Sequence, residues 1–303
     1  MSADGVDVSG LATALAARLR CGTVELRPLS VECAWPVFRA SVPGREPVFV
    51  KLAGAEAAGR TLAFLRTAGP LRFLPQPVLA EPFAFGGFFV LCLEWKAVER
   101  VDAEAMTDAQ AESFAQGCMR LSEALVRFDG PVSELGEDAP EAQHAQISAY
   151  AARHPLAARL VRPLVEMPLV ERSYAGRALV VIHGDLQPRN YGFAGESLAA
   201  VFDFDDLTRG LACEDAAYAF TERARRAGLS AAKRTRLTEL FLRFALASPW
   251  PVEDWLLAVG HARLRIAARR LASHPDSLCV AFDIARRDRP LRALAEALKG
   301  LHA

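Results

Sequence analysis

The stretch His183-Gly184-Asp185-Leu186-Gln187-Pro188-Arg189-Asn190, with Asp203-Phe204-Asp205 beginning thirteen residues beyond it, constrains this chain more than any other. Apolar runs lead into both motifs, residues 178–182 into the first and 198–202 into the second. The pattern predicts two short strands, each ending in carboxylates and joined by the turn Ala194-Gly195-Glu196-Ser197. Such a hairpin places Asp185, Asn190 and Asp203 at one mouth. Phosphoryl transfer from a nucleotide needs that set: a carboxylate to orient an attacking hydroxyl and take its proton, and oxygen ligands to hold Mg²⁺ on the phosphates.

The chain ahead of this mouth is β-rich. Ser9 is positioned to cap a helix over residues 9–20, with Leu11, Leu15 and Leu19 at helical spacing. Residues 23–29, 33–41 and 48–52 read as strands, and Pro43, Gly44 and Pro47 supply a turn between the last two. Lys51 is a lone cation inside the third strand. A structural lysine would sit near the strand end with its head in water. A functional one points into a cleft, meets phosphate oxygens and is steadied by a carboxylate. Glu56 is the only acid between Lys51 and Glu81, and it opens a helical stretch over residues 55–67. Together with Asp185 and Asp203 downstream, the functional reading of Lys51 is the stronger.

Residues 84–94 predict a hairpin whose second strand, 88–94, is buried on both faces. It is either an ordinary central strand or the approach to a hinge at Glu94-Trp95-Lys96, where backbone groups would hold an adenine ring. Beyond it the chain turns helical. Thr107 caps a helix reaching about Phe128, residues 142–154 form another, and Pro155, Pro163 and Pro168 limit helices before the motifs. Residues 130–140 read as an exposed loop. After the motifs, helices are expected over 215–227, 231–247, 252–273 and about 291–301.

Thirty-six basic and 36 acidic side chains cancel, but unevenly: residues 221–303 hold 16 Lys/Arg against 8 Asp/Glu, net +8, leaving −8 for the rest. The basic region is either a polyanion-binding face or, more commonly for arginine-rich helices such as 252–273, a solvated one. It carries no aromatic interleaving of a nucleic-acid binder. The six cysteines are scattered without a CxxC pair, as expected of small buried hydrophobes in a reducing compartment. The acidic N-terminus lacks a secretion signal, and the longest apolar stretch, residues 83–93, falls short of the roughly 20 residues that span a bilayer. The expectation is a soluble cytoplasmic protein with no nucleic-acid or membrane partner.

The segment 183–190 resembles the HGDxxxxN catalytic loop of the aminoglycoside phosphotransferase and choline kinase family, and 202–206 resembles that family's metal-binding segment. Lys51, Glu56, the hinge and Asp215 fall in the family's order, so the resemblance covers about residues 25–260. It implies an α+β, bilobal, protein-kinase-like fold: a small β-rich N-lobe over 1–95 and a larger, mainly helical C-lobe over 96–303. It implies Asp185 as catalytic base, Asn190 and Asp203 as Mg²⁺ ligands, and Lys51, paired with Glu56, on the nucleotide phosphates. His183 and Asp215 become structural parts of the loop. ATP, with GTP as the other candidate, and Mg²⁺ are the implied cofactors, and a small-molecule hydroxyl is the acceptor.

Two departures stand out. Residues 29–35, which should cover the phosphates, contain no glycine, so Ser30 and neighbouring amides would have to approach them. Ser122 follows Leu121 where many relatives carry histidine. The function expected is therefore an ATP-dependent phosphotransferase; the alternative is a catalytically silent pseudokinase acting as a binding or regulatory module. The net basic helical region argues against a typical polycationic aminoglycoside and for a neutral or anionic alcohol, with Glu222, Glu253, Asp254, Trp250 and Trp255 as candidate acceptor contacts.

Overall fold

Leu11, Leu15 and Leu19 are buried in the first helix, α1 (Val8–Leu19). Asp7, not Ser9, caps it, accepting from the Gly10 amide at 2.9 Å; the helix begins earlier than Ser9 implies, and aspartate caps as well as serine. The structure is a computed structural model describing residues 5–29, 35–69, 71–101, 106–134, 139–224, 230–274 and 278–302. Five strands follow α1 in an antiparallel sheet of order β1-β2-β3-β5-β4: β1 (Glu25–Pro28), β2 (Val37–Ser41), β3 (Val48–Ala53), β4 (Phe83–Phe85) and β5 (Phe88–Glu94). Helix α2 (Ala55–Ala68) sits between β3 and β4 in sequence.

Alternation along β3 divides the sheet's two faces. Val48, Val50 and Leu52 join Phe38, Val90 and Cys92 in the core under α1. The intervening residues turn the other way, and Lys51 lies in register between Val37 of β2 and Leu91 of β5. The lysine is therefore aimed away from the N-lobe core, towards the second lobe. β5, apolar on both faces as its sequence indicates, is the strand that makes this two-sided arrangement possible.

The C-lobe begins with α3 (Asp108–Val126), started by a reciprocal capping box between Thr107 and Gln110. α4 (Pro140–Arg153) and α5 (Pro155–Val165) follow. Prolines limit the helices less than expected here: Pro155 opens α5 at a position whose amide has no helical partner, and Pro163 sits inside it. Next come β6 (Val180–Ile182), β7 (Tyr191–Ala194), β8 (Ser197–Val201), β9 (Thr208–Gly210), α6 (Glu214–Ala224), α7 (Ala231–Ala247), α8 (Val252–Ser273) and α9 (Leu278–His302). The last helix starts well before the expected Leu291 and runs through Pro290.

The motif strands do not pair with each other as expected. β6 pairs with β9, Val180 opposite Gly210, while β7 and β8 form the hairpin around the 194–197 turn. β9, Thr-Arg-Gly, is too short and polar to announce itself, and β7, Tyr-Gly-Phe-Ala, is only four residues long. The main core runs without a break from Phe64 and Leu65 of α2 through Phe114 and Leu121 of α3 to Phe220 of α6 and Trp255 of α8. α8 lies between α4, α6 and α9, so Arg263 and Arg265 are buried, while Arg269 and Arg270 keep part of their side chains in solvent. Arg263 is buried and donates to Asp288 of α9 from Nε at 2.7 Å. Among the described residues no helix is long and apolar enough to cross a membrane.

Candidate active site

The loop after β6 is held by Asp215 at the start of α6, whose carboxylate accepts from the backbone amides of His183 at 2.6 Å and Gly184 at 3.0 Å. Burial raises the Asp215 carboxyl, against the pull of His183 and those amides. Gly184 has φ +79°, and a Cβ there would lie 2.2 Å from the Asp206 carbonyl oxygen, so the loop and the 203–206 segment touch where only glycine fits. His183 is wholly buried. Its Nδ1 accepts from the Asp185 amide at 3.3 Å, which leaves Nε2–H to donate to Phe202 O at 2.8 Å. It is an architectural residue tying the two motifs.

Asp185 is buried at the centre. Its Oδ2 accepts from Gln187 Nε2 at 2.5 Å, Asn190 Nδ2 at 3.2 Å and, at longer range, Arg189 at 3.5 Å. Its Oδ1 accepts from Arg269 Nη1 of α8 at 3.2 Å. Asn190 also donates to the Asp185 carbonyl at 2.8 Å. With its amide nitrogen so committed, the amide oxygen is what Asn190 offers to a ligand.

The β8 strand delivers Asp203 in a left-handed conformation, φ 69°, which bends the chain into the 204–206 turn. Lys51 Nζ forms ion pairs with Asp203 and, at 2.8 Å, with Asp205. Burial disfavours the charged lysine, but the two carboxylates outweigh it and raise its pKa. Burial alone would raise Asp203; Lys51 instead holds it below the usual carboxylate range. At Asp206 burial together with Asp185, Asp203 and Asp205 outweighs the pull of Arg265 and pushes its carboxyl up.

The expected Lys51–Glu56 pair is not formed. The Glu56 side chain is 92% exposed and reaches only Arg60, at 3.7 Å. On α2 the residues turned towards the site are Arg60 and Thr61: the Arg60 guanidinium donates to Asp205 O, from Nη2 at 2.9 Å, and Thr61 Oγ1 donates to Asp205 Oδ1 at 3.2 Å. At about 100° per residue, Glu56 stacks one turn from Arg60 and lies about 140° round the helix from Thr61. Phe64, one turn on, packs on Phe204 at 4.8 Å, and Phe204 in turn on His183 at 4.8 Å.

Lys51, Asn190 and Asp203 line one cavity of about 500 Å³, with Val37, Phe49 and Leu93. Trp95 through Val98 form its edge and Arg189 stands across it. Of the expected hinge pair, Trp95 lines this cavity. Glu94 is turned aside, its amide donating to Gln76 O at 2.8 Å and its carboxylate on Lys96 at 2.9 Å. Ser30, in the segment expected to cover the phosphates, lies outside the described residues, as do residues 31–34. Ser122, where histidine was expected, donates to Ala212 O at 3.1 Å and so braces the turn before α6.

Among the described residues, none of the expected acceptor contacts lines this cavity or the smaller one beside Asp185. Trp255 and Glu222 are buried, and Asp254 pairs with Arg177 at 2.9 Å. A smaller cavity of about 90 Å³ is lined instead by Ser133, Glu134, Asp206, Thr208, Arg265 and Arg269, among others. Nothing local in the sequence marks these residues; Arg269 meets Asp185 across 84 positions.

A model of the phosphotransferase enzyme family, APH, matches residues 37–256, well over half of the chain. No curated protein matches by sequence. Among solved structures the chain is similar to amicoumacin kinase in complex with AMP-PNP, Ca²⁺ and Ami, with TM-score 0.64 and 12% identity over 96% of this chain and 94% of that one. It is similar to spectinomycin phosphotransferase in complex with ADP and spectinomycin, with TM-score 0.64 and 10% identity over 97% and 99%. It is also similar to the macrolide 2'-phosphotransferase of Brachybacterium faecium, with TM-score 0.57 and 16% identity over 94% and 98%. At these identities the likeness speaks for the fold.

Proposed function

The chain belongs to the phosphotransferase enzyme family, and we propose that it moves the γ-phosphate of ATP to a hydroxyl of a small molecule. The observation that carries this reading is that Lys51, Asn190 and Asp203 line one cavity with Asp185 hydrogen-bonded directly behind Asn190. We place the base between Val37, Phe49 and Leu93, against the backbone of residues 95–98, and divide the lobes at about residue 95. Lys51 meets the phosphates as a positive charge that is already desolvated.

The oxygen donors fit Mg²⁺. Asn190 presents its amide oxygen and Asp203 a carboxylate, and Mg²⁺ takes one or two such ligands and fills its shell with phosphate oxygens and water. Bound there, it would supply charge neutralisation of the phosphates. Asp185 is fixed by Gln187 and Asn190 on one oxygen and by Arg269 on the other. It orients the acceptor hydroxyl and takes its proton as the new O–P bond forms and the bond to the β–γ bridging oxygen breaks, releasing ADP.

The test is ADP or GDP release from Mg·ATP or Mg·GTP across aminoglycosides, macrolides, sugars, choline and homoserine. Acceptor-dependent turnover lost in both Asp185→Ala and Asp203→Ala supports the reading. Silence across the panel together with undetectable nucleotide binding would overturn it in favour of a binding or regulatory module.

A further inference from the structure

The 90 Å³ cavity shares no lining residue with the nucleotide cavity. Arg269 connects it to the catalytic carboxylate, since it lines the cavity and donates to Asp185 Oδ1. One turn earlier on α8, Arg265 lines the same cavity. It is only 8% exposed, and its Nε has no hydrogen-bond partner. Tyr218 of α6 organises both arginines: its ring lies 4.7 Å under the Arg265 guanidinium, and its hydroxyl accepts from Arg269 at 3.1 Å.

A buried guanidinium with an unmatched donor is costly, and this one lies over an aromatic ring with its Nε unpaired. Carboxylates stand nearby: Arg265 pulls on Asp206, and Glu222 lies beside Tyr218. Glu214 pairs with His261 at 2.5 Å, and Tyr174 donates to Glu214 at 2.6 Å. Asp206 is crowded by like charges, and Glu134 is exposed on the rim. A rigid fork beside the catalytic carboxylate matches a planar carboxylate or a phosphate.

We propose that this cavity seats an anionic group of the acceptor, a carboxylate or phosphate, on Arg265 with Arg269 beside it, presenting the acceptor's hydroxyl to Asp185. This rests on the kinase reading and goes beyond it by fixing the acceptor's charge. A polycation would bring ammonium groups against both arginines.

The experiment is calorimetric titration of the full chain, saturated with Mg·ADP, with hydroxy acids, hydroxy amino acids and sugar phosphates, each paired with its neutral amide or parent sugar. The acid and phosphate arms identify which anion is seated. The expected result is an anionic member that binds at least about 10-fold more tightly than its neutral counterpart. Arg265→Gln should weaken it about 10- to 100-fold while ADP affinity is kept, with Arg265→Lys in between. The proposal is overturned if neutral or cationic compounds bind best, or if Arg265→Gln binds the anion as the wild type does. Should Arg265→Gln not fold, the anion-against-neutral comparison on the wild type decides. Arg265-dependent anion binding without any ADP formed from Mg·ATP would sink the kinase reading and leave this proposal standing; turnover of neutral acceptors only would do the reverse.

Discussion

Replacing Lys51 with methionine keeps most of the side chain's bulk and removes its charge. The perturbation falls on a buried cation between two carboxylates, Asp203 and, at 2.8 Å, Asp205. At an effective dielectric of about 20, that second separation alone corresponds to a gross attraction of about 6 kcal/mol. Desolvation of the ions offsets part of it, and deleting one partner of a buried pair costs about 3–5 kcal/mol. With about 2–4 °C per kcal/mol for large single chains, the melting temperature of Lys51→Met should fall by about 10 °C near neutral pH. The pH dependence has a definite sign. Asp203 is held below its ordinary value of 3.8, so its contribution is present above that value and is lost as pH falls through the lower, folded one. Lys51 is raised above 10.5, so its contribution persists below that value and fades only as pH climbs beyond it. In Lys51→Met burial alone acts on the orphaned carboxylates and raises them, so the deficit should be full near neutral pH and shrink towards pH 4 as they take up protons. Scanning calorimetry at pH 7.5 and 4.5 reads this directly, and Lys51→Met with Asp203→Asn should recover part of the loss. A drop below about 2 °C at pH 7.5, or an equal drop at both pH values, would refute the reasoning.

Gly184→Ala places a methyl 2.2 Å from the Asp206 carbonyl at φ +79°, so a denaturant midpoint should report a loss of about 2–4 kcal/mol, with turnover falling alongside. Because burial raises Asp215 above 3.8 in the folded state, wild-type stability should decline as pH rises from that value through the folded one. Asp215→Asn should flatten this slope in urea titrations while loosening the loop it braces. Among the five described cysteines, burial pushes Cys92 up to about 12 and Cys118 and Cys213 well above their ordinary value, while Cys279 is exposed. A disulfide reagent should label Cys279 promptly, and those three only after unfolding.

The site was legible where its chemistry is local. Asp185, Asn190 and Asp203 sit within one short run, and Lys51 breaks the apolar pattern of β3. The bounds of α7 and α8 follow from Ser230, the Pro-Trp-Pro break and the length of the periodic runs. What stayed hidden depends on angles and on distant partners. Glu56 is near Lys51 in sequence, but in the first turn of α2 it is exposed and pairs along the helix with Arg60, while Arg60 and Thr61 reach Asp205. The pairing of β6 with β9 skips the hairpin between them. Arg265 looked like surface charge but is buried because α8 is enclosed by other helices, and Arg269, still partly exposed, turns to Asp185; no single-helix pattern reveals either.

The β6–β9 ribbon staples the ends of one excursion of chain, from Ile182 to Thr208, and that excursion holds Asp185, Asn190 and Asp203 together. In a hinge motion between lobes it travels as one body with the C-lobe core, its internal geometry unchanged. From the other lobe it is reached by Lys51 and Phe49 of β3, by Arg60, Thr61 and Phe64 of α2, and by Phe73, whose carbonyl accepts from the Val201 amide at 2.9 Å. Opening between the lobes would lengthen these links together, the Lys51 ion pairs among them, so a distance probe spanning β3 and the 203–205 segment would follow it.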